Sequence, residues 1–229
     1  MGCDSGPFER DSSITPITGT LLNLHPEIRY TFEYTCLFGW VVCKKRDKNE
    51  EAPFNIQMFF SPFIRDWLNA FNHGIKVQFE NELIMSKSVM LFYDADMRLR
   101  QVLLLYTAPP GIYACPKCKV KGEYVSSCKC MKYPVKSLQN LHAITKRTSK
   151  NWKSDANQYI AKQQEIIIKR LDNNETLQSI YESNEYKRVE PVDGIKGLTV
   201  LSFLPYLELQ EACFIQPLHC IYVYSNASY

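Results

Sequence analysis

The sequence predicts an α/β fold that carries a cysteine-rich insertion. Apolar segments typical of strands and of helices alternate over the first half of the chain, and one of them, 55–72, has a broad helical face. A basic segment with four cysteines follows, and its apolar residues have too little periodicity for a layer of the core. The 229 residues, 45% of them hydrophobic, are enough for one sizeable core or for one domain with a subdomain.

The first two segments predict strands, and the third predicts a helix. Segments 14–24 and 30–43 are rich in β-branched and aromatic residues, and a charged loop, 44–51, follows the second of them. Over 55–72 the apolar residues recur at spacings of three and four, which predicts an amphipathic helix. We expect Gly74 to end that helix.

Two further strands and a second helix complete the first half. The segment 75–84 alternates between polar and apolar residues, which predicts one strand, and the apolar run up to Tyr93 predicts a more buried strand over 86–93. The pattern of 97–106 predicts a helix that stops before Pro109. Beyond the basic segment, helices are predicted over 159–171 and 175–182.

Net charge and cysteine content limit the classes of protein to which this chain can belong. The net charge is only +3, but between Cys115 and Lys153 ten Lys or Arg stand against one acid, Glu123. Nine cysteines are an odd number, and no charged-then-apolar leader opens the chain, so we expect a nuclear or cytoplasmic protein that is not secreted. No apolar stretch is long enough to span a bilayer, so no membrane is expected.

Cys115-Pro-Lys-Cys118 is the strongest motif in the chain. Two cysteines at this spacing can bind one zinc ion through both thiolates, and a tetrahedral structural site then needs two more ligands. Cys128-Lys-Cys130 can supply them locally, or His219 with Cys220 can supply them from far along the sequence. The sequence favours zinc and leaves the ligand set open.

Asp94 is the candidate catalytic acid because it ends an apolar run. An acid after a strand is often only a helix cap or a solvated loop residue. Here Asp96 can cap the following helix, which leaves Asp94 free at the strand ends, where α/β sheets place their chemistry. Asp4 and Asp11 are weaker candidates taken by themselves.

The basic segment is a candidate nucleic-acid surface. Lysine-rich loops are often solvated faces without a partner, yet a local concentration of positive charge favours contact with phosphates. The lysines that we expect to contact nucleic acid are Lys117, Lys119, Lys121, Lys129 and Lys132. Aromatic side chains in or beside the segment can stack on bases or can equally anchor the loop; they are Tyr113, Tyr124, Tyr133 and Trp152.

Several motifs, in this order, resemble DDE transposases of the CACTA (En/Spm-like) group. They are Asn23-Leu-His-Pro-Glu-Ile-Arg-Tyr30, the helix 59–75, Phe92-Tyr-Asp-Ala-Asp-Met-Arg98, the segment from Gly111 through Tyr124, Arg147-Thr148, the segment from Gly194 through Pro205, and Gln216-Pro-Leu-His-Cys220. No single motif is decisive, but their order and spacing cover most of the chain.

The resemblance implies an RNase H-like fold, in which the ends of a mixed sheet present carboxylates to two divalent cations, Mg²⁺ or Mn²⁺. Asp4 stands about where this group has its first acid, and Asp94 corresponds to the second. The implied zinc ligands are Cys115, Cys118 and His219, with one ligand beyond the end of this chain. DNA is the implied partner; oligomeric state stays open, although paired transposon ends usually require at least a dimer.

The sequence also departs from the pattern of this group. The strand before Asp4 is expected to be missing, Gln216 stands where the group has an acid or Cys, and no third carboxylate follows. We therefore expect a truncated or decayed transposase that is inactive. Its predicted parts are a partial RNase H-like core over 1–110, a zinc insertion over 111–153 and a helical segment over 154–229. The alternative is a non-catalytic zinc-stabilised module that binds nucleic acid or protein.

Overall fold

The computed structural model describes residues 2–3, 6–9, 12–20, 23–28, 31–44, 55–87, 89–90, 94–95, 97–107, 111–133 and 145–212. The chain forms two units: Met1–Leu103, Phe203–Leu207 and Glu211–Tyr229 make the first, and Leu104–Ser202 with Glu208–Gln210 make the second. The three-part division that the sequence suggests stays a prediction. In the described ranges, no helix has both the length and the apolar content that crossing a membrane requires.

A five-stranded mixed sheet organises the first unit. Strands β3 (Ser12–Thr20) and β4 (Thr35–Lys44) pair antiparallel over the whole length of β3. Because β4 takes up one edge of β3, β1 (Gly2–Cys3) and β2 (Gly6–Glu9) lie one after the other along its second edge, both antiparallel to it. β7 (Asp94–Ala95) then pairs with β1 in the parallel direction. Across the sheet the order is β4, β3, β1 with β2, and β7.

Helix α1 (Ile56–His73) confirms the helix predicted over 55–72. Asn55 caps it by accepting a hydrogen bond from the backbone N–H of the second helical residue, which satisfies one donor at the helix start. Phe60 and Ile64 are buried on the predicted apolar face. Gly74 ends the helix with φ of 75°, a value that glycine adopts at little cost.

A bulge in β4 brings an aromatic side chain against α1. The register passes from Ile17 opposite Gly39 to Thr18 opposite Leu37, which leaves Phe38 without a residue opposite. The Phe38 ring packs edge-on against Trp67 of α1, with the two ring centroids 5.2 Å apart. A Cβ at position 19 would lie only 2.2 Å from the same ring, so the glycine there makes room for this contact.

The prediction of one strand over 75–84 is wrong, because this segment contains two strands. The structure instead has a hairpin of β5 (Ile75–Phe79) and β6 (Glu82–Ser86) joined by a two-residue turn. Glu80 has φ of 52°, a left-handed conformation that is uncommon outside glycine, and Asn81 is the one residue of this turn that is typical of turns.

The buried strand predicted up to Tyr93 is also corrected in part. Val89 and Met90 lie outside any strand, although Met90 is buried, and residues 91–93 lie outside the described ranges. The predicted strand ended before Asp94, whereas in the structure Asp94 is the first residue of strand β7 (Asp94–Ala95). Helix α2 (Met97–Leu104) follows, in agreement with the helix predicted over 97–106.

The second unit is built on helix α3 (Ser149–Asp172), which begins ten residues before the predicted start at 159. Thr148 and Asn151 form a reciprocal capping box at its N-terminus. The first turns hold polar and basic residues, and their buried face includes the acid Asp155. A search for apolar periodicity therefore misses this part of the helix.

Short elements complete the second unit. They are the hairpin of β8 (Glu123–Val125) and β9 (Cys130–Lys132), then α4 (Leu177–Glu182), α5 (Asn184–Lys187), a 3₁₀ turn over Val200–Phe203, and α6 (Leu209–Ala212), which reaches past this unit's last residue. Helix α4 confirms the helix predicted over 175–182. The largest fully buried apolar side chains of this unit are Leu104, Trp152, Ile180, Ile195, Leu201 and Leu209.

Gly194 fixes the path of the chain in this core. Its carbonyl accepts hydrogen bonds from the backbone N–H and the hydroxyl of Thr107, at 2.7 and 2.9 Å. With φ of 85° and the carbonyl oxygen of Tyr113 only 2.2 Å from where a Cβ would stand, no larger residue fits here.

Candidate functional site

One of the two predicted acids lies in a strand of the sheet, and the other lies outside the described residues. Asp94 lies in β7, where it pairs in register with Gly2 of β1, and Cys3 pairs with Ala95. Asp4 lies outside the described residues, but in sequence it directly follows Cys3. The expected absence of a strand before Asp4 is wrong, because β1 precedes it. Since β1 and β7 are parallel, their carboxyl ends meet at the same edge of the sheet.

The pair Cys115 and Cys118 is held by backbone hydrogen bonds to the residues that enter α3. Lys119 N–H donates to the Thr145 carbonyl at 2.9 Å, and Arg147 N–H donates to the Lys117 carbonyl at 3.0 Å. Cys118 therefore forms an isolated antiparallel bridge with Lys146. The backbone of segment 115–119 is therefore held in place by its pairing with residues 145–147.

The two thiols of this loop are half-buried and lie within hydrogen-bonding reach of each other. Burial raises the pKa of the Cys118 thiol, and the neighbouring Cys115 thiol raises it further. Both effects favour the protonated form of Cys118. A bound cation reverses this, because thiolate is the ligand form.

Arg147 lies beneath the loop and connects it to the core. Its side chain is 1% exposed; Nε donates to the Cys115 carbonyl at 2.9 Å, and Nη2 donates to the Asp193 carbonyl at 2.5 Å. The guanidinium also lies over the Trp152 ring, 5.5 Å from its centroid, which is within the range of a cation–π contact. Arg147 therefore fixes the carbonyl of the first cysteine from inside the unit.

A partly buried ion-pair network surrounds this arginine. Lys119 Nζ lies 2.7 Å from Asp155 Oδ2 and 2.8 Å from Asp193 Oδ2, and Arg147 Nη1 lies 3.9 Å from Asp155 Oδ2. Burial lowers the pKa of Lys119, but its hydrogen bonds to the two carboxylates outweigh this and leave the pKa above its ordinary value. The network ties α3, the loop of Cys115 and the segment before Gly194 together.

The five lysines predicted to contact nucleic acid divide into two groups. Lys117 and Lys119 are half-buried: Lys117 Nζ donates to the Gln210 carbonyl, and Lys119 belongs to the network. Lys121, Lys129 and Lys132 are exposed, on or beside the β8–β9 hairpin. Only the second group has ammonium groups at the surface.

Of the aromatic side chains proposed for base stacking, one is exposed. Trp152 is fully buried in the core, and Tyr133 is half-buried and donates its hydroxyl hydrogen to the Gly111 carbonyl. Tyr113 is half-buried, whereas Tyr124 of β8 is 61% exposed. Trp152 and Tyr133 thus anchor the segment, as the alternative interpretation allowed.

Cys128 and Cys130 form a second thiol pair in the turn of the β8–β9 hairpin. Their sulfur atoms are 2.8 Å apart, Cys128 is exposed and Cys130 is half-buried. The hydrogen bond between the thiols lowers the pKa of Cys128 and raises that of Cys130, and Lys132 lowers the pKa of Cys128 further.

The structure does not bring all the predicted metal ligands together. In the described part of the chain, no three His, Cys, Asp or Glu side chains gather as a metal site would require, so the two thiol pairs stand apart. His219 lies outside the described residues. The local four-thiolate ligand set and the set that includes His219 both stay predictions.

Sequence reasoning missed Asp155 and Asp193, which support the Cys115 loop, and it singled out Arg147 only as part of the motif Arg147-Thr148. The sequence does contain a signal for Asp155. This acid lies three residues after Trp152, and Ala156 lies four residues after Trp152, so all three share one face of α3. Asp155 reads as a surface acid unless its buried partners are known.

Comparison with protein-family models, with curated proteins and with solved structures found no match to this chain.

Proposed function

We propose that this chain carries part of the core of a DNA transposase similar to the CACTA group, with an RNase H-like sheet and a structural zinc site. The observation that supports the proposal best is the pairing of β1 with β7. Strands β1 and β2 share one edge of β3, and β4 takes the other; α1 and the β5–β6 hairpin follow before β7 pairs parallel with β1. An RNase H-like core likewise has three antiparallel strands, a helix and then a strand parallel to the first. In that arrangement the first and second acids belong to these two parallel strands.

The donor chemistry at this edge fits Mg²⁺ or Mn²⁺. Both ions prefer carboxylate oxygens; Asp94 is the first residue of β7, and Asp4 directly follows the last residue of β1 in sequence. When bound, such cations supply charge that stabilises a phosphodiester during cleavage. In this proposal the chain contributes Asp94 from β7 and Asp4 from the residue that follows β1 in sequence.

The donor chemistry of the Cys115 loop fits zinc. Thiolates are soft ligands that favour Zn²⁺, and the backbone bridge to Lys146 fixes their spacing before any ion binds. Although burial raises the pKa of the Cys118 thiol, the positive charge of the buried Arg147 guanidinium lowers it in part and so favours the thiolate form. Cys115, Cys118 and His219 are the proposed ligands, with the fourth unassigned.

DNA contact is proposed for the exposed ammonium groups of Lys121, Lys129 and Lys132. Lys129 and Lys132 belong to the β8–β9 hairpin and Lys121 lies just before it, and all three side chains are exposed, so they can neutralise phosphates. The corresponding prediction for Lys117 and Lys119 is weaker, since both already bind groups of their own unit.

Localised radical cleavage tests the acid pair and its relation to DNA in one experiment. Fe²⁺ replaces Mg²⁺ at carboxylate sites, and with ascorbate and peroxide it cuts nearby polypeptide and nearby DNA. We expect polypeptide cuts close to Asp94 and cuts in an end-labelled duplex, both suppressed by excess Mg²⁺. Asp94→Asn should abolish both, whereas Asp66→Asn, at an exposed acid of α1, should leave both unchanged.

Unchanged cleavage in Asp94→Asn would refute the proposed acid site. Cuts in the polypeptide without cuts in the duplex would refute its role in DNA chemistry. That second result favours the other candidate, a zinc-stabilised binding module, for which the exposed lysines of the hairpin are the supporting observation. Such a module would still bind a labelled duplex in the presence of EDTA and lose affinity when these three lysines are changed to Gln.

A further inference from the structure

The turn of the β8–β9 hairpin holds a thiol pair that the zinc site does not use. Val125 pairs with Cys130 as the last pair of the hairpin, and the turn 126–129 lies between them. Lys129, between the two cysteines, has φ of 49°, a left-handed conformation that is uncommon for a residue other than glycine. The chain reverses sharply at this residue, and the sulfur atoms of Cys128 and Cys130 lie 2.8 Å apart.

This pair differs from the Cys115 pair in its surroundings. Cys128 is exposed, so a small oxidant can reach its sulfur along an open path, whereas Cys115 and Cys118 are half-buried. No third side chain among the described His, Cys, Asp and Glu residues joins Cys128 and Cys130 to complete a metal site. Two thiols in contact at the surface, without a third ligand, suit sulfur–sulfur chemistry better than a structural ion.

We propose that Cys128 and Cys130 form a reversible dithiol–disulfide site that reacts with disulfides of small thiols such as glutathione disulfide. The Cys128 thiolate attacks one sulfur of glutathione disulfide, forming a mixed disulfide and releasing one glutathione thiolate. The Cys130 thiolate then attacks Cys128 sulfur, and the second glutathione leaves. The two protein thiols lose two protons and two electrons, and glutathione disulfide is reduced to two molecules of glutathione.

The geometry explains why such a bond would form and break readily. It would close a loop with only Lys129 between the two cysteines, so it removes little entropy from the unfolded chain and adds little stability. Exposed disulfides of this kind are the labile ones, which exchange with small thiols. Oxidation therefore changes the turn beside Lys129 without locking the rest of the unit. The proposal is independent of the transposase function and of the acid pair.

Peptide mapping after equilibration in glutathione buffers tests the proposal on the full chain. Trypsin cuts after Lys121, Lys129 and Lys132, so the two cysteines fall on separate peptides, 122–129 and 130–132. We expect these peptides to be recovered joined by a disulfide in oxidising buffer and separate after reduction. Cys130→Ser should instead retain one glutathione on Cys128, because no second thiol can displace it. Cys36→Ser, in β4, is the matched control and should leave the linked pair unchanged.

A companion experiment adds Zn²⁺ before oxidation. We expect the linked peptides to form as readily as without zinc, because the ion is held elsewhere. Protection of peptides 122–129 and 130–132 by zinc would overturn the proposal and indicate a site built on these thiols. Recovery of only separate, unmodified peptides in oxidising buffer would overturn it as well.

Discussion

At the scale of single residues, the buried guanidinium of Arg147 is the feature on which the Cys115 loop depends most. It is 1% exposed, and its contacts reach the Cys115 carbonyl, the Asp193 carbonyl and the Trp152 ring. A buried charge is tolerated only where it is paired and hydrogen-bonded. Arg147 is therefore a positioning residue for the loop.

Arg147→Ala should lower the free energy of unfolding by about 3 kcal/mol, the lower end of the cost of breaking a buried charge network. Arg147→Lys should also destabilise, because an ammonium cannot reproduce the two directed hydrogen bonds of the guanidinium. Urea unfolding followed by fluorescence measures both changes. Arg65→Ala, at an exposed pair with Asp66, is the control and should leave the urea midpoint unchanged; an equally small effect at Arg147 would contradict this assignment.

Lys119 makes the stability of this network sensitive to alkaline pH. The pKa of Lys119 is raised in the folded state, so the stabilisation is complete below its unfolded value, about 10.4, and is lost as pH rises through the folded value. In thermal unfolding, Tm should fall as the pH rises through the pKa that Lys119 has in the folded state. The fall should be smaller in Lys119→Met. Equal slopes in the two proteins would argue against the network.

At the scale of elements, the N-terminus of α3 concentrates several local stabilising contacts. The capping box of Thr148 and Asn151 satisfies one end of the helix, and Glu208 accepts a hydrogen bond from Ser149 N–H at 3.1 Å. A carboxylate near a helix N-terminus also interacts favourably with the helix dipole. This end of α3 carries Arg147 one residue before its cap, so its order affects the Cys115 loop.

Glu208 should make this end of the helix sensitive to acid. The Gln210 side chain, followed by the Ser149 backbone, lowers the pKa of Glu208, so its stabilisation is present above its unfolded value, about 4.3, and is lost as pH falls through the folded value. We expect Glu208→Gln to unfold at nearly the same temperature as the native chain at pH 3 and at a lower temperature at pH 6. Circular dichroism melts at the two pH values measure this difference.

Position 194 in the second unit tolerates only a small residue with positive φ. Gly194→Ala should destabilise by about 1–3 kcal/mol, since the residue has positive φ and a Cβ would strike the Tyr113 carbonyl. The measurement is the urea midpoint. A Gly194→Ala protein as stable as the native chain would show that the backbone here relaxes freely.

At the scale of the whole molecule, two units divide the chemistry between them. The first holds the parallel strands β1 and β7, and the second holds the Cys115 loop with its charge network. We expect purified protein to contain about one zinc ion per chain and to lose it, with a drop in stability, in Cys115→Ser. Metal analysis should find the ion retained in Cys36→Ser; zinc bound equally by all three proteins would exclude Cys115 as a ligand.

The elements that could be predicted from the sequence are those whose signal is local. The α1 helix follows from apolar spacing between an Asn cap and Gly74, and β3 and β4 follow from β-branched and aromatic composition. The β5–β6 turn was missed because Asn81 has no glycine or proline beside it and is therefore a weak turn signal, and the start of α3 was missed because its buried face includes a charge. The transposase function, the zinc ligands and a nuclear location stay predictions.

The sequence by itself determined where the main helices and the long antiparallel strands lie, and which carboxylates and thiols are available, since periodicity, caps and motif spacing are properties of neighbouring residues. Only the tertiary structure decided that β7 pairs parallel with β1, that the four thiols separate into two pairs, and that Arg147, Lys119 and Asp155 meet inside the second unit. Strand register and the partners of buried charges depend on residues far apart in the chain. They are fixed by packing and by desolvation, which local sequence patterns do not record.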